Sequence, residues 1–152
     1  MTSRAITAEA KNLLLDLIET LQDGHKGMMD LGQRLQRESA RQFLLRQSQV
    51  RAEFAAELEN QLHRMGEADV EQRGTIGGAL HRVWSDVKAK LGADDESLLA
   101  SAELGEVGTE KAYPKALQES MPGDVRDLVT TQQSAIRDAL DQLRNLRSGK
   151  AA

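Results

Sequence analysis

The stretch LLDLIETLQDGHKGMMDLGQRL, residues 14–35, carries the clearest structural signal in this sequence. Apolar side chains recur in it at alternating steps of four and three residues, the spacing of a helix packed in a bundle. The members of this stripe are Leu14, Ile18, Leu21, His25, Met28, Gly32 and Leu35. Thr7 is a good N-cap residue, so a first helix is predicted over residues 7–36. Gly24 and Gly27 inside it indicate a close helix contact or a local bend.

The second helix is predicted over residues 39–66. Ser39 and Gln42 have the spacing of a capping box, and Gly66 stands where a glycine commonly ends a helix. The predicted buried stripe consists of Leu44, Gln47, Arg51, Phe54, Leu58, Gln61 and Met65.

Two more long helices are predicted over residues 95–120 and 122–148. A shorter helix over residues 75–91 lies between the two pairs, and its apolar stripe indicates that Trp84 docks it on the bundle. Short joins make each pair of long helices an antiparallel hairpin. The predicted fold is therefore an all-α, ferritin-like antiparallel four-helix bundle whose long crossover contains an extra short helix, in one domain over residues 1–152.

The composition excludes several classes of function. Twenty Lys and Arg against 24 Asp and Glu give a net charge of −4, which argues against binding nucleic acid or anionic lipid by bulk charge. The absence of cysteine excludes disulfides, iron–sulfur centres and a cysteine nucleophile. No stretch approaches the roughly 20 apolar residues that span a membrane, and no targeting signal follows Met1, so we expect a cytoplasmic protein.

Polar residues stand in the middle of every long stripe, and these are the candidate functional residues. They are His25, Arg51, Glu103, Glu106, Glu110 and Gln132. Because an unpaired buried charge is costly, such groups should contact one another or bind an ion. The three glutamates share one face of the third helix, but a face of small residues lies beside it. A modest rotation of that helix would send Glu103 or Glu110 to solvent and leave Glu106 buried.

Two interpretations of these residues remain open. In the first they form a structural polar layer, with Arg51 facing Glu106 and Gln132 completing the hydrogen bonds. In the second, Glu106, Glu103, Glu110 and His25 bind iron or manganese. Di-metal bundles of this topology use Glu-x-x-His on two helices, and none of the three histidines has this spacing. We therefore favour the first interpretation, with no catalytic residue and no cofactor, and a role other than that of an enzyme.

Four segments resemble the small bacterial ferritin-like four-helix-bundle proteins of unknown function. They are LIETLQDG at 17–24 with Gly27, RAEFAAEL at 51–58, GGALHRVW at 77–84 and KAY at 111–113. The resemblance covers nearly the whole chain and implies a ferritin-like bundle without an established activity. The sequence departs from that pattern at Leu140, where members have a histidine, and at Pro114. The first departure removes one candidate metal ligand.

The functional hypothesis is a non-catalytic bacterial protein with a structural, stress-related or interaction role. The alternative is a carboxylate-bridged metal-binding protein of the iron or manganese oxidase or storage type, with a degenerate site. A third hypothesis is a homodimer that uses the crossover helix or an outer helical face as its interface. The sequence identifies no protein partner, and no nucleic-acid or membrane partner is expected.

Overall fold

The computed structural model describes residues 6–67, Trp84 and residues 94–149, and this part of the chain is all-α. It contains four long helices and no strand. They are α1 (Ala8–Arg34), α2 (Glu38–Arg64), α3 (Asp95–Leu117) and α4 (Gly123–Ser148). The predicted four-helix, all-α class is confirmed. The predicted short helix over 75–91 lies outside the described residues, Trp84 excepted.

Local capping interactions explain where α1 begins and where α2 ends. The Thr7 hydroxyl accepts a hydrogen bond of 3.0 Å from the Ala10 N–H at the start of α1, as predicted. After α2, Gly66 adopts a φ of 83°, a left-handed conformation that side chains disfavour. The N–H groups of Gly66 and Glu67 then donate back to carbonyls of the last turn of α2, which closes the helix in a Schellman motif.

The capping box predicted at Ser39 and Gln42 is wrong. The helix begins one residue earlier, after Arg37, and no side chain caps it. A distant carboxylate fixes this turn instead: Asp95 accepts hydrogen bonds from the N–H groups of Gln36 at 2.9 Å and Arg37 at 2.8 Å. The capping-box prediction failed because α2 already begins at Glu38, so Ser39 lies inside its first turn and cannot precede it as a cap.

Ion pairs show how the helices run. Lys11 near the start of α1 contacts Glu67 just after α2 at 2.7 Å, so these two helices are antiparallel. Arg147 near the end of α4 contacts Glu96 near the start of α3 at 2.8 Å, so the second pair is antiparallel as well. The two predicted hairpins are confirmed.

The first hairpin ends and the second begins at opposite ends of the bundle. The turn between α1 and α2 contacts the start of α3 through Asp95, whereas α2 ends at the opposite end of the molecule. A helix of 27 residues such as α2 is about 40 Å long. Glu67 and Asp95 therefore lie at opposite ends of the bundle.

Packing of the four helices produces one square arrangement. Helix α1 lies beside α2 and α3, and α4 lies beside α3 and α2. Of these four contacts between neighbours, the one between α2 and α4 is the least extensive. The predicted stripes of α1 and α4 are buried as expected, except that His25 is only half-buried. None of the described helices is long and apolar enough to cross a membrane.

The predicted stripe of α2 is wrong at several positions. Gln47, Phe54, Gln61 and Met65 are only partly buried. The buried face instead consists of Ala40, Phe43, Leu44, Ser48, Arg51, Ala55, Leu58 and Leu62. Small side chains such as Ser48 and Ala55 allow α1 to approach closely. Of all the helices, α1 makes the most extensive contact with α2.

Candidate functional site: the buried polar layer

The rotation of α3 decides which glutamate enters the core. Its small residues face inward together with Glu106 and Tyr113: Ala102, Gly105, Thr109, Ala112 and Ala116 are all buried. The side chain of Glu106 has no solvent exposure, whereas those of Glu103 and Glu110 are 19% and 21% exposed. The expected stripe of three buried glutamates is therefore wrong, and the alternative rotation is the one observed.

Glu106 forms a bidentate ion pair with Arg51 at the centre of the bundle. Arg51 Nε donates to one carboxylate oxygen at 3.3 Å, and Nη2 donates to the other. Both side chains are fully buried. Because α2 and α3 lie diagonally across the square, this pair crosses the core and joins the two hairpins. Burial lowers the pKa of Arg51 to about 10, so the guanidinium stays charged at neutral pH.

A second set of hydrogen bonds joins three helices about one to two turns further along the bundle. The Tyr113 hydroxyl donates to Gln132 Oε1 at 3.0 Å. Gln132 Nε2 in turn donates to the Phe54 carbonyl at 3.2 Å and to Glu57 Oε1 at 2.9 Å. Burial raises the pKa of the Tyr113 hydroxyl above its usual range, which keeps it a neutral donor. The amide of Gln132 is thus fully used in linking α2, α3 and α4.

His25 lies apart from the glutamates and contacts α2. Its Nδ1 is 2.9 Å from the Ser48 carbonyl oxygen, and the Ser48 hydroxyl donates to the His25 carbonyl at 2.7 Å. These reciprocal hydrogen bonds join α1 to α2. Within the described residues, the structure therefore brings His25 to a serine and not to a carboxylate.

Glu103 and Glu110 are bound by arginines of α4. Arg144 and Arg147 contact Glu103 at 3.0 and 2.8 Å, and Arg137 contacts Glu110 at 3.1 Å. Partial burial of Glu103 raises its pKa, but hydrogen bonds from Arg147 and Arg144 outweigh this effect and lower the pKa below the ordinary value. These glutamates hold the two helices of the second hairpin together.

Trp84 fills a slot between α1 and α3. Its ring is buried, and its Nε1 donates to the Thr109 hydroxyl at 3.1 Å. A Cβ atom at Gly27 or Gly105 would lie 2.5 Å from a carbon of the indole, so neither position has room for a side chain. The sequence pointed to Trp84 and Gly27, but it missed Gly105 and Thr109. The only signal for them is the row of small residues along α3.

Comparison with known proteins places this arrangement in a family. The model of a domain of unknown function, DUF2383, matches residues 9–119, which is more than half of the chain. The chain belongs to this family. The DUF2383 match includes α1, α2 and α3 with Arg51, Glu106 and Trp84, whereas Gln132 on α4 lies beyond it. No curated protein matches the chain.

The four candidate metal ligands of this DUF2383 protein, all in the described part of the chain, are not grouped as a di-metal centre requires. Glu106 is bound by Arg51, Glu103 and Glu110 are bound by arginines at the surface, and His25 contacts Ser48. Across residues 6–67, 84 and 94–149, no three His, Asp or Glu side chains are grouped so that they could hold one metal ion. Chemically, the arrangement is a set of ion pairs and hydrogen bonds that join all four helices, and Arg51 Nη1 is buried in it without a hydrogen-bond partner among the described residues.

Proposed function

We propose that this DUF2383 protein is a non-catalytic, ferritin-like bundle protein of bacteria, with a structural, stress-related or interaction role. The observation that carries the proposal is the fully buried Arg51–Glu106 pair. Carboxylate-bridged metal proteins of this topology place a cation among glutamates at the centre of the bundle. Here a guanidinium supplies the central positive charge.

The path of the chain supports the ferritin-like part of the proposal. The first antiparallel hairpin ends at the opposite end of the bundle from where the second begins, which is consistent with a four-helix bundle that has one long crossover. The resemblance of the four sequence segments quoted above supports the same assignment.

Electrostatics supports the non-catalytic part. Two like unit charges 4 Å apart repel by about 4 kcal/mol at the effective dielectric constant of a protein, and a divalent cation would about double this. A metal ion beside Glu106 would therefore have to displace Arg51 or be repelled by it. Arg51 is also held in place, since two of its nitrogen atoms donate to the same carboxylate.

Charge removal at the central pair tests the proposal. Arg51→Met should destabilise the protein by roughly 3–5 kcal/mol, because it leaves the Glu106 carboxylate buried without a partner. Adding Glu106→Gln to that variant should recover part of the loss. The matched control is the ion pair of Arg137 with Glu110, which lies at the surface, changed by Arg137→Met and Glu110→Gln singly and together. The coupling free energy between these two changes should stay within about 1 kcal/mol. Urea unfolding of the single and double variants measures both couplings.

Metal addition supplies the outcome that would contradict the proposal. The melting temperature of the wild-type protein should not change with Fe(II) or Mn(II) added under anaerobic conditions. A ligand present at 100 times its Kd stabilises a protein by about 2.7 kcal/mol, which a thermal melt detects readily. A saturable rise in melting temperature that Glu106→Gln abolishes would support the metal-binding alternative instead.

A further inference from the structure

A groove opens between the start of α2 and the end of α4, on the side of the bundle where two neighbouring helices contact each other least. Its volume is about 430 Å³. Sites for small molecules commonly measure about 300–1,000 Å³. The groove is therefore large enough for a small organic ligand, and none of the candidate residues of the polar layer lines it.

The groove has an apolar floor and a polar rim. Phe43 and Leu146 are buried core residues whose side chains reach the groove. The rim is formed by amide and hydroxyl side chains with a single charged residue: Ser39, Gln42, Gln142, Asn145 and Arg46. Most of the surface that lines the groove is polar, and Phe43 and Leu146 contribute only a small apolar patch, so a ligand there would be held mainly by charge and hydrogen bonds.

Arg46 differs from the other arginines near this end of the molecule. Arg37 donates to the Leu146 carbonyl at 3.0 Å, and Arg41 donates to the Gln33 carbonyl at 3.1 Å. Arg46 has no hydrogen bond or ion pair with any residue in the described part of the chain. Glu38, which lies about two turns before Arg46 on the same helix, accepts from Gln42 at 3.3 Å. The guanidinium of Arg46 is therefore free to bind an anion.

We propose that this groove binds a small organic carboxylate. The Arg46 guanidinium binds the carboxylate group, because its planar donors match the two carboxylate oxygens. The amides of Gln142 and Asn145 supply further hydrogen bonds, and the apolar body of the ligand packs on Phe43 and Leu146. One guanidinium above an apolar floor suits an organic anion better than a free inorganic phosphate. This inference rests on the groove alone and is independent of the role of the polar layer.

Titration of isotope-labelled wild-type protein with benzoate tests the inference by NMR. Benzamide, which has the same shape without the charge, is the control ligand. We expect saturable shifts of the amide signals of residues 42–46 and 142–146, with a Kd of roughly 1 mM, as expected for so small a probe. Benzamide should bind at least tenfold more weakly.

Two variants identify the residue that binds the charge. Arg46→Gln should weaken benzoate binding at least tenfold. Arg64→Gln, which changes an exposed arginine at the other end of the same helix, should leave it unchanged. The inference is overturned if benzoate causes no saturable shifts in the groove, if benzamide binds equally well, or if Arg46→Gln has no effect.

Discussion

A single methyl group at Gly105 should destabilise this protein, although alanine is a better helix former than glycine. A Cβ at Gly105 would lie 2.5 Å from Trp84 Cη2 and 2.6 Å from Cζ3, closer than carbon atoms can approach. Alanine gains about 1 kcal/mol over glycine inside a helix. Overpacking of a core typically costs about 1–3 kcal/mol. We therefore expect Gly105→Ala to lower the free energy of unfolding by between zero and about 2 kcal/mol relative to the wild type.

Two comparisons isolate the contribution of the indole ring. A Cβ at Gly24 would lie 3.5 Å from the same ring, an ordinary contact, so Gly24→Ala should stabilise the protein by up to about 1 kcal/mol. Trp84→Ala should cost about 3–5 kcal/mol. In that background the obstacle is gone, and Gly105→Ala should now stabilise the protein by about 1 kcal/mol. The effect of the same methyl group should thus change sign.

Urea unfolding followed by far-UV circular dichroism measures these differences without using tryptophan fluorescence. The coupling between positions 84 and 105 should be about 1–3 kcal/mol, the overpacking cost that disappears with the ring. The reasoning is refuted if Gly105→Ala stabilises the wild-type protein as much as Gly24→Ala does. It is also refuted if Gly105→Ala has the same effect in both backgrounds.

Two further predictions concern hydrogen bonds and charge. Tyr113→Phe should cost about 1–3 kcal/mol in urea unfolding, because Gln132 Oε1 loses its buried donor, and a wild-type value would mean that this hydrogen bond is not formed. Glu103→Gln should remove a stabilisation that is fully present above the ordinary glutamate pKa of 4.5 and is lost as the pH falls through the lowered pKa of the folded state. An acid pH series should therefore show the wild type and Glu103→Gln converging in stability, and a constant difference would contradict the lowered pKa.

Large apolar side chains made two helices predictable from their own sequences. The stripes of α1 and α4 contain leucine, isoleucine or valine at most positions, so one orientation buries far more apolar surface than any other. The burial of Gln132 followed from its position near the middle of the α4 stripe, and Glu106 was expected in the core for either rotation of α3. Periodicity was sufficient wherever the side chains that pack were also the hydrophobic ones.

The orientation of α3 could not be predicted in the same way. Its buried face is made of small residues such as Ala102 and Gly105, which give little hydrophobic signal. What favours this face is the ring of Trp84, which needs a surface without side chains. Trp84 is distant in sequence from the residues it contacts, so a pattern read along α3 alone does not contain the information. The turn before α2 depends on a distant residue in the same way, because its N–H groups donate to the Asp95 carboxylate.

The polar contacts between the two hairpins also bear on how the chain folds. Those that join α1 or α2 to α3 or α4 link residues 55 to 109 positions apart, such as Arg51 with Glu106 and Arg37 with Leu146. Each hairpin, in contrast, closes over a short turn and loses little chain entropy. We therefore expect each hairpin to form before the distant contacts, which form when the two hairpins dock. Apolar faces alone tolerate sliding by a turn, whereas a buried arginine has one acceptor, so the Arg51–Glu106 pair fixes the register in which the hairpins come together.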